Sequence, residues 1–141
     1  MRLISRKYFL YIIFIMNTIL LASILQVLIA LGIFNVWLVR SKKQTEYRGG
    51  SASNMKEEFK AYGLPQWFMY FVGFLKITSA LLLIVGFFVP FIVPYVALLM
   101  AGLMVGAISM HIKIGDPFMK AMPAIGMFAM SAILFWITYT F

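Results

Sequence analysis

Cysteine is absent from this chain of 141 residues. Disulfide bridges, thiol redox relays, iron–sulfur clusters and thiolate zinc sites are therefore excluded within the chain. Carboxylates are scarce too, since 4 Asp+Glu stand against 12 Lys+Arg, and there is a single histidine. We expect no metal site from so few ligands. Any redox reaction would need a cofactor or a partner from outside the chain.

Charged residues make up only 11% of the chain, whereas hydrophobic residues make up 64%. Soluble domains contain roughly 25% charged and 45–50% apolar residues. The excess of apolar side chains predicts an integral membrane protein that has the lipid bilayer as its surroundings. A chain of this length accommodates one small domain, so we expect no separate soluble catalytic module.

The net charge of +8 resembles that of a nucleic-acid-binding protein, but the positions of the cations favour a membrane. Nine of the 12 Lys+Arg lie in two short patches, three from Arg2 to Lys7 and six from Arg40 to Lys60. Both patches flank apolar runs, where anionic lipid head groups attract cations. We therefore expect no nucleic-acid partner.

Four apolar segments are long enough to cross a hydrocarbon core, which takes about 20 helical residues. They cover about 8–39, 66–88, 91–112 and 117–141, with a polar loop at 40–65. The pattern predicts an all-α fold, an integral membrane four-helix bundle in a single domain, 1–141. Asp116 followed by Pro117 is typical of an N-cap and a first helical residue. Pro123 predicts a kink in that helix or marks its true start.

The polar loop has two halves. The first half, Ser41 to Ser53, is rich in glycine and serine and is typical of a flexible loop. In the second half Asn54 stands three residues before Glu57, as in a capping box, and apolar residues then recur at helical spacing. This pattern predicts a short amphipathic helix on the membrane surface or over the end of the bundle. The alternative is a solvated loop with chance periodicity.

Lys76 is the only formal charge between Lys60 and Lys113, and it lies near the middle of the second span. An ammonium group at the centre of a bilayer costs about 2.5–3.5 kcal/mol on insertion scales. We therefore expect Lys76 to face the bundle interior and to have a polar partner from another span. The alternatives are a lysine that snorkels to the nearer interface or one that closes a structural hydrogen bond.

Small and polar residues inside the spans predict helix contacts. Gly102 and Gly106 form a small-xxx-small pattern on the third span, which permits close approach of helices. We expect it to pack helices within the chain, with dimerisation as the alternative. Among Asn17, Gln26 and Asn35 of the first span, we expect at least one to form an interhelical hydrogen bond.

The loop before the second span and the loop after the third lie on the same membrane side in any four-span arrangement. Five polar side chains can therefore converge at this end of the bundle: Glu57, Glu58, Tyr62, His111 and Asp116. A histidine there can simply be interfacial, or it can exchange protons, since imidazole ordinarily titrates near pH 6.5. Lys76 would lie about 15 Å below this end, ten residues at helical rise from Gln66.

Three stretches taken together resemble the DoxX-like membrane proteins: Glu57 to Pro65, Gly73 to Lys76, and His111 to Pro117. The resemblance covers about Ile29 to Phe141, and it implies a four-helix membrane bundle. Branches of this family include a small subunit of a thiosulfate:quinone oxidoreductase, a partner in mycobacterial oxidant-defence complexes, and a vertebrate assembly chaperone for nicotinic receptors. The family therefore indicates architecture better than activity. Lys76, His111 and Asp116 match its recurring polar positions.

Two functional hypotheses follow. In the first, the chain is an accessory membrane subunit, at most part of an oxidoreductase, that binds a quinone-like or other amphipathic ligand such as a lipid. Lys76 would polarise an oxygen of that ligand, while His111 and Asp116 exchange protons, with Tyr62, Glu57 and Glu58 completing the site. In the second, the chain is a chaperone or scaffold for another membrane protein, or a homo-oligomer, without chemistry. In both cases we expect a multi-pass protein of a bacterial inner membrane.

Overall fold

The computed structural model describes residues 2–141, and the side chains of residues 5–141, so the Arg2 side chain of the first basic patch lies outside it. Five α-helices follow one another: α1 Arg2–Phe34, α2 Met55–Ala61, α3 Gln66–Val85, α4 Val93–Lys113 and α5 Phe118–Thr140. A π-helical turn, Asn35–Val39, extends α1, and a 3-10 turn, Pro90–Ile92, leads into α4. No strand occurs in residues 2–141.

Four of these helical stretches are long and apolar enough to cross a membrane: Ser5–Val39, Gln66–Val85, Pro90–Lys113 and Phe118–Thr140. The all-α membrane bundle predicted from the apolar segments is confirmed. The chain is a multi-pass membrane protein, and its long helices present apolar side chains outward, as a lipid environment requires.

The predicted start of the last helix was wrong by one residue. Pro117 occupies the N-cap and Phe118 is the first helical residue, while no side chain caps the helix. Asp116 is not a cap because its carboxylate is bound by His111 of α4 and by the Gly50 backbone N–H of the polar loop, as described below. Pro123 lies inside α5 and does not mark its start.

The predicted amphipathic helix is present as α2. The Asn54 side chain accepts a hydrogen bond of 2.9 Å from the backbone N–H of Glu57, which is the expected N-cap contact. Met55 and Phe59 are buried and form a small apolar cluster with Met69 of α3. The alternative of a solvated loop is therefore wrong, and α2 packs against the end of the bundle.

The four long helices enclose a core of side chains with no exposed surface, including Ile29 of α1, Leu83 of α3, Met100 of α4 and Leu134 of α5. Gln26 of α1 is also buried, and its side-chain amide donates a 2.8 Å hydrogen bond to the backbone carbonyl of Leu83. The predicted interhelical hydrogen bond from the first span is thus confirmed for Gln26.

Close helix approach depends on alanine rather than on the predicted glycine pair. Ala30, Ala80 and Ala97 have no exposed surface in the core. A Cβ added at Gly102 or Gly106 would meet no atom of another part of the described chain within 4 Å. The prediction that Gly102 and Gly106 pack helices within the chain is wrong, because α4 is rotated so that this pair faces outward.

Candidate functional site

A set of buried polar side chains joins the polar loop to α2 at one end of the bundle. The Glu58 carboxylate accepts three hydrogen bonds: 2.8 Å from Arg48 Nη1, 2.8 Å from the Gly49 backbone N–H, and 2.9 Å from the Tyr62 hydroxyl. Glu58 and Tyr62 share one face of α2 because they are four residues apart. The Arg48 side chain is only 5% exposed, so the ion pair is shielded from water.

The same set continues to the connection between α4 and α5. His111 Nδ1 lies 2.7 Å from Asp116 Oδ2, and the Gly50 backbone N–H donates a 2.9 Å bond to Asp116 Oδ1. The Tyr62 hydroxyl lies 3.4 Å from His111 Nε2 and so joins the Arg48–Glu58 pair to the His111–Asp116 pair. We refer to Arg48, Glu58, Tyr62, His111 and Asp116 as the polar network.

Lys76 lies inside the bundle, separate from the polar network. It is 8% exposed, and its ammonium is 5.5 Å from the centre of the Trp37 ring, a cation–π contact. In residues 2–141 no hydrogen bond or ion pair from the Lys76 side chain is found. The expectation of an interior lysine is confirmed, but the partner from the first span is an aromatic ring instead of a polar group.

A groove of about 580 Å³ opens between the start of α2, the end of the first span and α3. Its polar end carries four hydrophilic side chains: Ser41, Lys42, Asn54 and Lys56. Its apolar part is lined by larger side chains, among them Trp37, Met69, Phe74 and Ile77. The groove thus has a hydrophilic end beside the polar loop and an apolar end along α3.

The Trp37 ring belongs both to this groove and to the surroundings of Lys76. Gly73, which also lines the groove, provides the space for the ring, because a Cβ at Gly73 would lie 2.6 Å from it. Lys76 does not itself line the groove, but the Trp37 ring that its ammonium contacts does.

Residues 24–134, most of the four-span bundle and the whole polar network, match the sequence model of the DoxX-like family. The chain belongs to the DoxX-like family. No curated protein and no solved structure matches it. Family membership indicates a small membrane protein, but it does not by itself assign an activity.

The polar network keeps Tyr62 protonated and Asp116 ionised. Burial raises the pKa of the Tyr62 hydroxyl above its ordinary range, and the adjacent Glu58 carboxylate raises it further. Burial by itself would raise the pKa of Asp116, but the hydrogen bonds from His111 and the Gly50 N–H outweigh it and lower that pKa. Tyr62 is thus a permanent donor and Asp116 a permanent acceptor at neutral pH.

His111 stands between these two groups. A neutral imidazole carries one N–H and can donate to only one of Asp116 and Tyr62, whereas an imidazolium can donate to both. The ring is therefore the member of the polar network whose proton count changes its hydrogen bonding.

Four of the five side chains expected at this end of the bundle do converge there: Glu58, Tyr62, His111 and Asp116. Glu57 does not. It is exposed and accepts hydrogen bonds from the Ser53 hydroxyl and the Ser53 backbone N–H, which lower its pKa. Neighbouring helical residues point about 100° apart, so Glu57 faces water when Glu58 faces the bundle.

The prediction of a flexible loop at 41–53 missed Arg48. Besides Glu58, its guanidinium bonds the backbone carbonyls of Arg40, at 2.5 Å, and Lys43, at 3.3 Å, so the middle of the loop is held in place. Gly50 has φ +59°, which a residue with a side chain rarely adopts, and this turn brings its N–H to Asp116. One signal was available in the sequence, since Glu58 lies in the apolar stripe of α2 and needs a buried cation.

Lysines strengthen the contact between the loop and α4–α5. Lys113 Nζ donates a 2.9 Å bond to the Tyr62 carbonyl, and Lys120 Nζ donates to the Gly50 carbonyl. In the described part of the chain, no group of three His, Cys, Asp or Glu side chains could hold a metal ion.

The lowered pKa of Asp116 makes the closure of the loop sensitive to acid. The ionised Asp116 carboxylate stabilises the loop fully above about pH 4, the ordinary aspartate pKa. This stabilisation is lost as the pH falls through the lower pKa that Asp116 has in the folded protein.

We therefore expect the hydrogen-exchange protection of the Gly50 amide to fall on acidification below about pH 4. Asp116→Asn should show weak protection already at pH 7 and a smaller further loss in acid. Equal pH dependence in parent and variant would contradict this assignment.

Proposed function

We propose that this DoxX-like protein is an accessory membrane subunit in a bacterial inner membrane. It binds an amphipathic molecule with a quinone-like or other oxygen-bearing head group. The observation that carries the proposal is Lys76. The Lys76 side chain is only 8% exposed and forms no hydrogen bond in the described part of the chain, and the Trp37 ring beside it lines an open groove.

A buried ammonium without an acceptor is costly, and the Trp37 ring offsets this cost only in part. An oxygen of a bound molecule would supply the missing acceptor. Ser79, one turn along the buried face of α3, has a hydroxyl that also lacks a partner in the described chain. These two side chains give the interior face of α3 a polar character that packing of the helices does not require.

The groove has the size and the polarity that an amphipathic ligand requires. Its volume of about 580 Å³ falls within the range of roughly 300–1,000 Å³ that is usual for ligand sites. Its apolar part runs along α3, and its hydrophilic end adjoins the polar loop. A ligand would place its tail against Phe74 and Ile77 and its head group at Trp37. The Trp37 side chain would have to turn aside for a head-group oxygen to reach Lys76, which does not line the groove.

The polar network would serve proton exchange at the same end of the bundle. His111 lies between Asp116 and Tyr62, and the Tyr62 hydroxyl bonds Glu58, so one imidazole ring and one hydroxyl join two carboxylates.

The test compares Lys76→Met with Lys43→Met in protein purified in mild detergent. Both variants lose one ammonium, but Lys43 is exposed on the loop, whereas Lys76 is buried and contacts the Trp37 ring. Native mass spectrometry would count bound quinone and phospholipid, and titration with decylubiquinone would give an affinity. We expect Lys76→Met to weaken binding about tenfold to a hundredfold, the value of a hydrogen bond to a charged group, with Lys43→Met unchanged.

Parent protein without any bound amphiphile, or equal binding by parent and Lys76→Met, would contradict the proposal. If another membrane protein co-purifies with the chain in place of an amphiphile, the scaffold hypothesis gains instead. Thermal melting of each variant in the same detergent shows whether loss of binding is separate from loss of folding.

A further inference from the structure

We infer that the molecule bound in the groove is an anionic phospholipid, whose phosphate is held by Lys42 and Lys56. This inference rests on the proposed function, because it names the class of amphiphile that the groove takes. The two lysines come from different parts of the chain, one directly after the first span and one from α2, and both line the hydrophilic end of the groove.

Both charged side chains that line the groove are lysines, and the exposed Glu57 carboxylate lies beside Asn54 without lining it. No carboxylate lines the groove. In residues 2–141 neither Lys42 nor Lys56 forms an ion pair, whereas the nearby Glu58 is neutralised by Arg48. Two ammonium groups without counter-charges attract a phosphate and give a neutral quinone head group no advantage.

One further group at this end can donate a hydrogen bond to a phosphate oxygen. The Ser41 hydroxyl has no partner in the described chain, and only the Ser41 backbone carbonyl is used, by the Met55 N–H. The Asn54 side chain is engaged locally, since its carbonyl oxygen caps α2 and its amide interacts with the Glu57 carboxylate. Two cationic donors and one neutral donor therefore line the same groove, an arrangement suited to phosphate.

The depth of the groove suits a lipid. The 20 residues of α3 match the thickness of a hydrocarbon core, so we place Gln66 and the adjoining polar loop, with Lys42, at the level of the head groups. Ile77 lies eleven residues into α3, or about 16 Å at helical rise, within the hydrocarbon layer. A phospholipid placed with its phosphate at Lys42 and Lys56 would lay an acyl chain along Phe74 and Ile77. Its ester carbonyls would then lie between, near Trp37 and Lys76.

The experiment uses the full chain in mild detergent and three probes: phosphatidylglycerol, phosphatidylcholine with the same acyl chains, and decylubiquinone. The variant is Lys42→Gln/Lys56→Gln, and the matched control is Lys43→Gln/Lys60→Gln. The control removes the same charge from the same loop and helix but does not touch the groove. Binding is counted by native mass spectrometry at two salt concentrations.

We expect the parent to prefer phosphatidylglycerol over phosphatidylcholine by about tenfold or more, with each lysine contributing about fivefold, and to lose this preference at high salt. The groove variant should bind both lipids equally, and the control should behave as the parent. Equal loss in variant and control would show a general charge effect and overturn the inference, as would equal binding of the two lipids by the parent.

The third probe separates this inference from the proposed function. If decylubiquinone binds in a Lys76-dependent manner while phosphatidylglycerol shows no preference, the proposed function stands and the anionic lipid is wrong. If none of the three amphiphiles binds, both are wrong.

Discussion

Arg48→Met is expected to open the polar loop. The variant should lower the free energy of loop opening by about 3–5 kcal/mol, the usual effect of removing one partner of a buried ion pair. Arg48 and Glu58 have side chains only 5% and 11% exposed, so the variant would leave a carboxylate buried without its cation. Glu58 would keep the bonds from Gly49 and Tyr62, which do not neutralise its charge. Hydrogen exchange of the Gly49 amide should accelerate by about a hundredfold or more.

The matched control for this prediction is Arg40→Met. Arg40 is exposed in the same loop, and only its backbone carbonyl takes part in the contacts of Arg48. The double variant Arg48→Met/Glu58→Gln should recover part of the loss, because it removes the unpaired charge. If Arg48→Met proved no less protected than Arg40→Met, the buried ion pair would not hold the loop.

Gly86→Ala is expected to destabilise the bundle by about 2–3 kcal/mol, the usual effect of overpacking. A Cβ at Gly86 would overlap the Val93 side chain, and it would lie 3.1 Å from both the Leu83 carbonyl and the Gln26 side-chain nitrogen. These groups form the tight connection between α3 and α4 and the hydrogen bond that ties α1 to it.

Gly102→Ala and Gly106→Ala provide the controls, since a Cβ at either position meets nothing in the described chain. Each should leave stability unchanged or raise it by up to about 1 kcal/mol, because alanine favours a helix interior over glycine. Thermal or SDS unfolding of the purified proteins measures the difference. Equal stability of Gly86→Ala and the controls would show that the α3–α4 connection tolerates a side chain.

The local features of the fold could be predicted from the sequence because they depend on neighbouring residues. The length of each apolar run determines whether a helix can cross the bilayer, so the four spans and the all-α class followed directly. The Asn54 cap of α2 depends on a contact only three residues along the chain. That Tyr62 and His111 lie on the same membrane side was also foreseeable from chain connectivity, but their contact was not.

Contacts that depend on helix rotation could not be predicted in this way. In lipid, both the interior and the exterior of the bundle are apolar, so hydrophobicity does not tell which face of a helix points inward. For that reason Gly102 and Gly106 were wrongly placed inside, and the Trp37 ring was not anticipated as the neighbour of Lys76. The packing of whole helices decides these contacts.

By itself, the sequence determined that this protein has four membrane spans, a capped helix in the first loop, a lysine that must avoid lipid, and no cysteine chemistry. Only the tertiary structure decided that Arg48 neutralises Glu58, that Glu57 lies outside the polar network, and that a groove with two lysines adjoins Trp37. The physical reason is that span length and capping are properties of short stretches of chain. Ion pairs and grooves arise between elements whose relative rotation is set by the packing of the bundle.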